Sequence, residues 1–320
     1  MTPEQITIAI TVFDRRDYLE QAVGSALAQT LPVRVMIVED CGPDPGLERF
    51  IRSRFGSQIN YRRNPWRRGL FDNWNACVEL CQTPWLCLLH DDDFLAPDFI
   101  EAMVQLAEQI PGQGLYYGNS RLVDSAGKTV EEPSAPAGPD FQKMDLTRAA
   151  AGNPVRFPAD LFRVDYARAL GGFCATSLYA GDWDMWVKLG AHYGAARTSR
   201  IVSNSRLHPG AETSRIERTG KRLPLVMMQY KKNVALLRQH GIPARFDRRA
   251  ALESSPISTR YLLKHGANLT PRMRHYHTGL LLLSRPPHAS YRLFKTLSWL
   301  FGPGFVRLAS RSYNTFSRLA

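Results

Sequence analysis

Apolar runs and amphipathic segments alternate through the first third of the chain. Ile6-Thr-Ile-Ala-Ile-Thr-Val12 is rich in β-branched residues and predicts a buried strand. From Tyr18 to Thr30, Leu19, Ala22, Val23, Ala26 and Leu27 recur at helical spacing and predict an amphipathic helix. The rhythm continues with a strand over 33–38, a helix over 47–55, a short strand over 58–62 and a helix over 70–81. Trp85-Leu-Cys-Leu-Leu89 predicts another buried strand, followed by a helix over 97–110. Strands and helices in this order imply an α/β fold, a doubly wound and mostly parallel sheet flanked by helices.

The second half is less regular. Residues 115–118 and 120–124 predict a strand and a hairpin, with a turn at Asp124-Ser-Ala-Gly127. Residues 131–140, rich in Pro, Ala and Gly, predict a loop. A short helix is expected over 162–169, closed by Gly171-Gly172, then a helix over 182–193 and an extended segment over 201–208. Beyond about residue 215 the pattern becomes helical and basic, most clearly over 225–239. There is no internal repeat.

The strand over 85–89 runs into His90-Asp91-Asp92-Asp93. Open α/β sheets bind ligands at the carboxyl ends of their strands. Three adjacent carboxylates repel one another unless a cation neutralises them. On an extended chain Asp91 and Asp93 point to one side and share one target. Oxygen ligands favour a hard cation, Mn2+ or Mg2+, shared with substrate phosphates. The competing reading is a solvated acidic turn, with Asp98 capping the next helix.

With 320 residues the chain holds one large α/β domain plus an appendage. Its net charge of +12 is unevenly spread: residues 1–200 balance at −5 and residues 201–320 at +17. The two parts therefore meet different partners, and the basic part suits an anionic membrane surface, nucleic acid or a phosphate-rich ligand. The pattern contains no apolar run long enough for a transmembrane helix and no secretory signal. Five cysteines without zinc-site spacing read as free thiols. Together these features lead us to expect a cytoplasmic chain.

Several motifs, taken in order, resemble the family 2 glycosyltransferases of the GT-A fold. Ile8-Ala-Ile-Thr-Val-Phe-Asp14-Arg15 is similar to the family's opening strand and turn, and Ser25-Ala-Leu-Ala-Gln-Thr30 to its Ser-x-Leu-x-Gln-Thr. Ile37-Val-Glu-Asp-Cys-Gly-Pro-Asp44 resembles the Val-Asp-Asp-Gly-Ser-x-Asp turn, with Glu39 and Cys41-Gly42-Pro43 as departures. Gly69-Leu-Phe-Asp-Asn-Trp-Asn75, His90-Asp-Asp-Asp93, Gly171-Gly-Phe173 and Gly181-Asp-Trp-Asp-Met-Trp186 complete the set. Gly181 stands where many members carry Glu. The resemblance covers about residues 5–210.

The resemblance implies an inverting, metal-dependent transfer from a nucleotide sugar. Asp93 and Asp91, with His208, are then expected to hold the metal, and Asp91 and Asp92 to serve the nucleotide. Thr11, Phe13, Asp14, Glu39, Asp40, Arg68, Asp72 and Asn75 are expected around the base and ribose. A carboxylate at 39 or 40 suits the N3–H donor of uracil or thymine, which favours a UDP- or dTDP-sugar. Asp182 is the expected catalytic base, and Asp184 orients the acceptor or substitutes for it. His90 either contacts the acceptor or only packs. The implied organisation is a catalytic domain over 1–214, with a nucleotide-sugar half to about 118, and a basic helical region over 215–320.

Within that region, Leu293, Leu297, Leu300 and Phe301 share one helical face. This fits an interfacial helix on anionic lipid at the inner face of a membrane. The alternative is a helix that packs on the catalytic domain or on a second copy in a homo-oligomer. The expected acceptor is a glycan or lipid-linked molecule of surface polysaccharide biosynthesis. Two competitors remain: a nucleic-acid-binding protein, which no recognition motif supports, and a non-catalytic nucleotide-sugar-binding subunit.

Overall fold

The computed structural model describes residues 1–133, 138–219 and 221–246. β1 (Ile6–Val12), α1 (Leu19–Leu27), β2 (Arg34–Glu39), α2 (Leu47–Phe55), β3 (Ile59–Arg63), α3 (Leu70–Leu80) and β4 (Trp85–His90) follow the predicted rhythm closely. The two-residue β5 (Phe94–Leu95), α4 (Phe99–Gln109), β6 (Leu115–Val123), β7 (Thr129–Glu131), β8 (Phe141–Lys143) and α5 (Leu146–Ala151) come next. β9 (Asp160–Arg163), α6 (Val164–Ala169), α7 (Gly181–Tyr193), β10 (Ala195–Arg206), α8 (Glu212–Thr219) and α9 (Arg222–Gln239) complete the described elements.

The sheet runs β3-β2-β1-β4-β9-β6-β10-β5. Strands β3, β2, β1 and β4 are mutually parallel, as the alternation of strand and helix requires. β9 then inserts antiparallel between β4 and β6, and β10 returns parallel to β6, so the sheet is mixed beyond β4. Two expectations change here. Residues 115–123 form one continuous strand. The helix expected over 162–169 is a strand to Arg163 and a helix only from Val164. Phe162 pairs with both Leu86 and Leu115, and this sheet pairing outweighs the local helical spacing.

The two faces of β4 divide the core. Cys87 and Leu89 join Ile6, Ile8 and Ile10 in packing against Leu19, Val23, Leu47, Ile51, Phe99 and Met103. The opposite face carries Leu86, Leu88 and His90. There, rings of Trp74, Phe157, Phe162, Phe173 and Trp186 touch one another edge-on or tilted. The turn after β2 passes so close to β1 that a Cβ on Gly42 would lie 1.7 Å from the Phe13 carbonyl oxygen. Gly42→Ala is therefore expected to cost about 1–3 kcal/mol by overpacking. A lowered urea midpoint with unchanged slope would show it.

The chain divides into two compact units, residues 1–208 with 235–243, and residues 209–234 with 244–320. Among the described residues no helix is long and apolar enough to cross a membrane. The interfacial helix expected over 291–301, like all of the basic region beyond 246, lies outside the described residues.

Candidate active site

At the end of β4 the chain does not stay extended. The Asp93 N–H donates to the His90 carbonyl at 3.3 Å, closing a tight turn. The three carboxylates, all buried, are therefore dealt to different partners. Asp91 Oδ1 pairs with Arg15 Nη2 at 2.9 Å. Asp92 Oδ2 accepts from Arg15 Nη1 at 2.8 Å and lies 2.9 Å from His208 Nε2. Asp93 Oδ1 accepts the Arg206 N–H at 2.7 Å, and its Oδ2 lies 3.6 Å from His90 Nδ1.

The turn takes Asp91 and Asp93 off the extended path from which a shared metal was expected, because alternation of side chains holds only along extended backbone. The group whose ligand atoms converge, all within 4.8 Å, is His90, Asp92 and Asp93. Asp91 is drawn off by Arg15. Burial pushes the Asp91 carboxyl up to about 7 and that of Asp93 up to about 6, with repulsion from Asp92 adding to both. Burial acts on Asp92 too, but the hydrogen bond with His208 and the charge of Arg15 outweigh it and hold Asp92 at about 2. Two carboxylates and an imidazole within one ion's reach suit a hard divalent cation. His208, 2.9 Å from Asp92, is placed to join them.

Two arginines were missed by sequence reasoning. Arg15, in the polar turn after β1, spans Asp91 and Asp92. Arg206, buried at the end of β10, is a clamp. Its Nε donates to the Asp92 carbonyl at 2.8 Å, Nη1 to the Asp124 and Ser125 carbonyls, and Nη2 to Gln21 Oε1 at 2.5 Å. Its guanidinium also stacks over Tyr18, 4.3 Å from the ring centroid. The available signal was the Arg206-Leu-His208 spacing beside an extended segment.

The residues expected around a base have mixed placements. Thr11 is buried, Phe13 half-buried and Asp14 exposed at the end of β1. Arg67 lies over the Phe13 ring at 4.0 Å. Glu39 is fully buried and accepts from Gly42 N at 2.9 Å, from Arg63 Nη1 at 2.5 Å and from Tyr61 Oη. Asp40 accepts from Arg68 N at 2.6 Å, Gly69 N at 2.8 Å and Asn64 Nδ2 at 3.3 Å. A carboxylate offers about four acceptor positions, so the chain itself occupies most of both groups. Their first role is to shape the loops after β2 and β3.

Arg68 pairs with Glu79 at 3.1 Å on the helix surface, and Asp72 is exposed. Asn75 points elsewhere: it donates to the Phe173 carbonyl at 3.0 Å and accepts the Phe173 N–H at 2.7 Å. A Cβ on Gly172, whose φ is +74°, would lie 2.5 Å from Asn75 Oδ1, which explains the glycine beside this bridge.

Asp182 is half-buried in the first turn of α7 and accepts from Asn153 Nδ2 at 2.8 Å. Burial pushes it up to about 6, and it lies within electrostatic reach of His90. Phe71 packs against the backbone just before it, so close that a Cβ on Gly181 would lie 2.1 Å from the ring. Asp184, two residues further on, is buried and ion-paired with Lys188 at 2.5 Å.

The mixed sheet flanked by helices is like that of the GT-A fold. Residues 7–147 match the family model for glycosyl transferase family 2. An uncharacterised glycosyltransferase of Rickettsia bellii is 23% identical over 267 residues, 81% of this chain and 38% of the relative. The chondroitin synthase of Escherichia coli is 27% identical over 214 residues, 65% of this chain and 30% of that protein. The chain thus spans about a third of the length of these relatives. S. aureus TarS 1–349 in complex with UDP-GlcNAc superposes with a TM-score of 0.57 at 12% identity, covering 98% of this chain and 92% of that one. The mannosyltransferase PcManGT of Pyrobaculum calidifontis, in complex with GDP-Man and Mn2+, gives 0.55 at 14% identity, covering 99% and 90%.

Proposed function

We propose that this chain is an inverting, metal-dependent glycosyltransferase that moves a sugar from a nucleotide-sugar donor to a hydroxyl of a glycan or lipid-linked acceptor. The observation that carries the reading is the buried turn in which His90, Asp92 and Asp93 converge within 4.8 Å at the carboxyl end of a central strand. Asp92 and Asp93, with His90 and His208, would hold Mn2+ or Mg2+, which would supply a Lewis acid for the charge of the departing diphosphate. Arg15 holds Asp91 and Asp92 in place and keeps the buried acids from carrying an uncompensated charge. Thr11, Phe13, Asp14 and the loops held by Glu39 and Asp40 form the nucleotide side of the site.

Asp182 takes the proton of the acceptor hydroxyl as that oxygen attacks the anomeric carbon. The diphosphate is already a good leaving group, so the chain needs no second acid. A carboxyl at about 6 is a stronger base than an ordinary aspartate and is still mostly ionised at neutral pH. Only the ionised form accepts a proton. kcat is therefore expected to fall about tenfold per pH unit below 6 and to level off above it, read from initial rates across pH 4.5–8.

A UDP-sugar is the favoured donor. The TarS complex holds UDP-GlcNAc, and relatives named as chondroitin and hyaluronan synthases support a polysaccharide product. The balance of +17 over residues 201–320 supports docking on an anionic membrane surface. The test is a thermal-shift screen of UDP, GDP, dTDP and CMP sugars with and without Mn2+. One donor is expected to raise Tm in the presence of the ion, by mass action. If no nucleotide sugar shifts Tm under either condition, the reading is wrong.

A further inference from the structure

Asp160, at the start of β9, is completely buried. The β4–β9 register sets Trp85 opposite Arg163 and Leu86 opposite Phe162. Carried two residues further, it sets Asp160 opposite Leu88, whose N–H points to Asp160 Oδ2 at 3.5 Å. Opposed residues of an antiparallel pair share a face. Ala159 and Leu161 pack with Cys87 and Leu89 on one side, so Asp160 lies on the other with Leu88 and His90. His90 is then its diagonal neighbour. Such pairs stand about 7–8 Å apart, within reach of an aromatic side chain. Burial pushes the Asp160 carboxyl up, and the Leu88 N–H and the charge of His90 work against it, which fits that placement.

Four polar atoms on this face are buried and have no hydrogen-bond partner among the described residues: Asp160 Oδ1, His90 Nε2 and the indole Nε1 atoms of Trp74 and Trp186, of which only His90 reaches the cation group. Buried polar atoms are paired as a rule, directly or through water. The other nitrogen of His90, Nδ1, faces Asp93 at 3.6 Å in the cation group. Trp74 stacks on the imidazole at 5.4 Å with planes 15° apart, and Phe157 lies 4.7 Å away. These rings fix the imidazole plane but not its tautomer. A histidine that ligates a metal through one ring nitrogen commonly gives its other N–H to a carboxylate.

We infer that Asp160 is a positioning residue for the cation site: its carboxyl takes the Nε2–H of His90, directly or through one water, and turns Nδ1 toward the ion held by Asp92 and Asp93. This rests on the metal reading proposed above. It makes His90 a nitrogen ligand rather than a packing or acceptor-contacting residue.

The test is a titration of Mn2+, alone and with saturating UDP, followed by the EPR signal of the free ion, on folded protein checked by circular dichroism. Asp160→Leu keeps the volume and removes the acceptor, and is expected to weaken Mn2+ binding about 10–100-fold. Asp160→Asn keeps an acceptor oxygen and is expected to stay within about threefold of the wild type. His90→Leu should weaken binding as Asp160→Leu does, and the double variant should be no weaker than His90→Leu alone. Wild-type affinity in Asp160→Leu, or additive losses in the double variant, overturns the inference and leaves the proposed function standing. A wild-type protein that binds no Mn2+ overturns the metal reading itself, and this inference with it. If Asp160→Leu does not fold, Asp160→Ala, which also removes the acceptor, replaces it in the same comparison, alone and with His90→Leu.

Discussion

Asp182→Asn is expected to lower kcat by about 10²–10⁴-fold, the usual contribution of a positioned general base, with donor affinity within about threefold of the wild type. The split follows from where the residue sits. Asp182 belongs to α7 and touches Asn153, whereas the acids of the turn after β4 face Arg15, His208 and the Arg206 backbone. Removing its charge therefore leaves the groups proposed to hold donor and ion untouched. The amide can still bond Asn153 after rotation, so the first turn of α7 keeps its shape. Asp184 is a poor substitute, because its carboxylate is buried and already engaged by Lys188 at 2.5 Å. Initial rates give kcat, and calorimetry with the donor gives the affinity. Unchanged turnover would remove Asp182 from the mechanism. A matching loss of donor affinity would mean that it binds rather than accepts a proton.

The strands and helices of the first 110 residues were legible because each buries one regular stripe. Ile6–Val12 is buried at every position, and Leu19, Ala22, Val23 and Ala26 mark the inward face of α1. The location of the site was legible for the same reason, since acids directly after an apolar strand mark its carboxyl end. Phe162 was misread because a short apolar segment fits both periods, and only its two strand partners decide.

The division of labour within the site was not legible. Which aspartate meets the ion depends on the turn from His90 to Asp93, and periodicity carries no information about turn geometry. Arg15 and Arg206 come from opposite ends of the domain sequence and reach the acids only through the fold. Asn75 was expected near the base and ribose from the resemblance carried by Gly69–Asn75. It faces instead the glycine turn at 171–173, almost a hundred residues away, and no local pattern announces that bridge.

Asp92→Asn is expected to lower kcat/KM by about 10²–10³-fold and to abolish Mn2+ binding at concentrations that saturate the wild type, because a catalytic cation contributes several kcal/mol and each 1.36 kcal/mol is tenfold. Asp92 is the acid held at about 2, so it offers a full negative charge at any working pH, and it is the one that both His208 and Arg15 touch. Asp91→Asn should do far less, because that carboxyl already sits near 7 and spends its charge on Arg15. The pair of variants separates the two geometries. If the triplet bound its ion as an extended chain, Asp91 and Asp93 would matter and Asp92 would not. With the turn observed here the order reverses. Stability should not blur the comparison, since loss of one charge relieves repulsion among three buried acids and offsets the partners left behind on His208 and Arg15. Mn2+ titration and steady-state kinetics on the two variants side by side decide it, and equal losses would show that the acids act as one undivided charge.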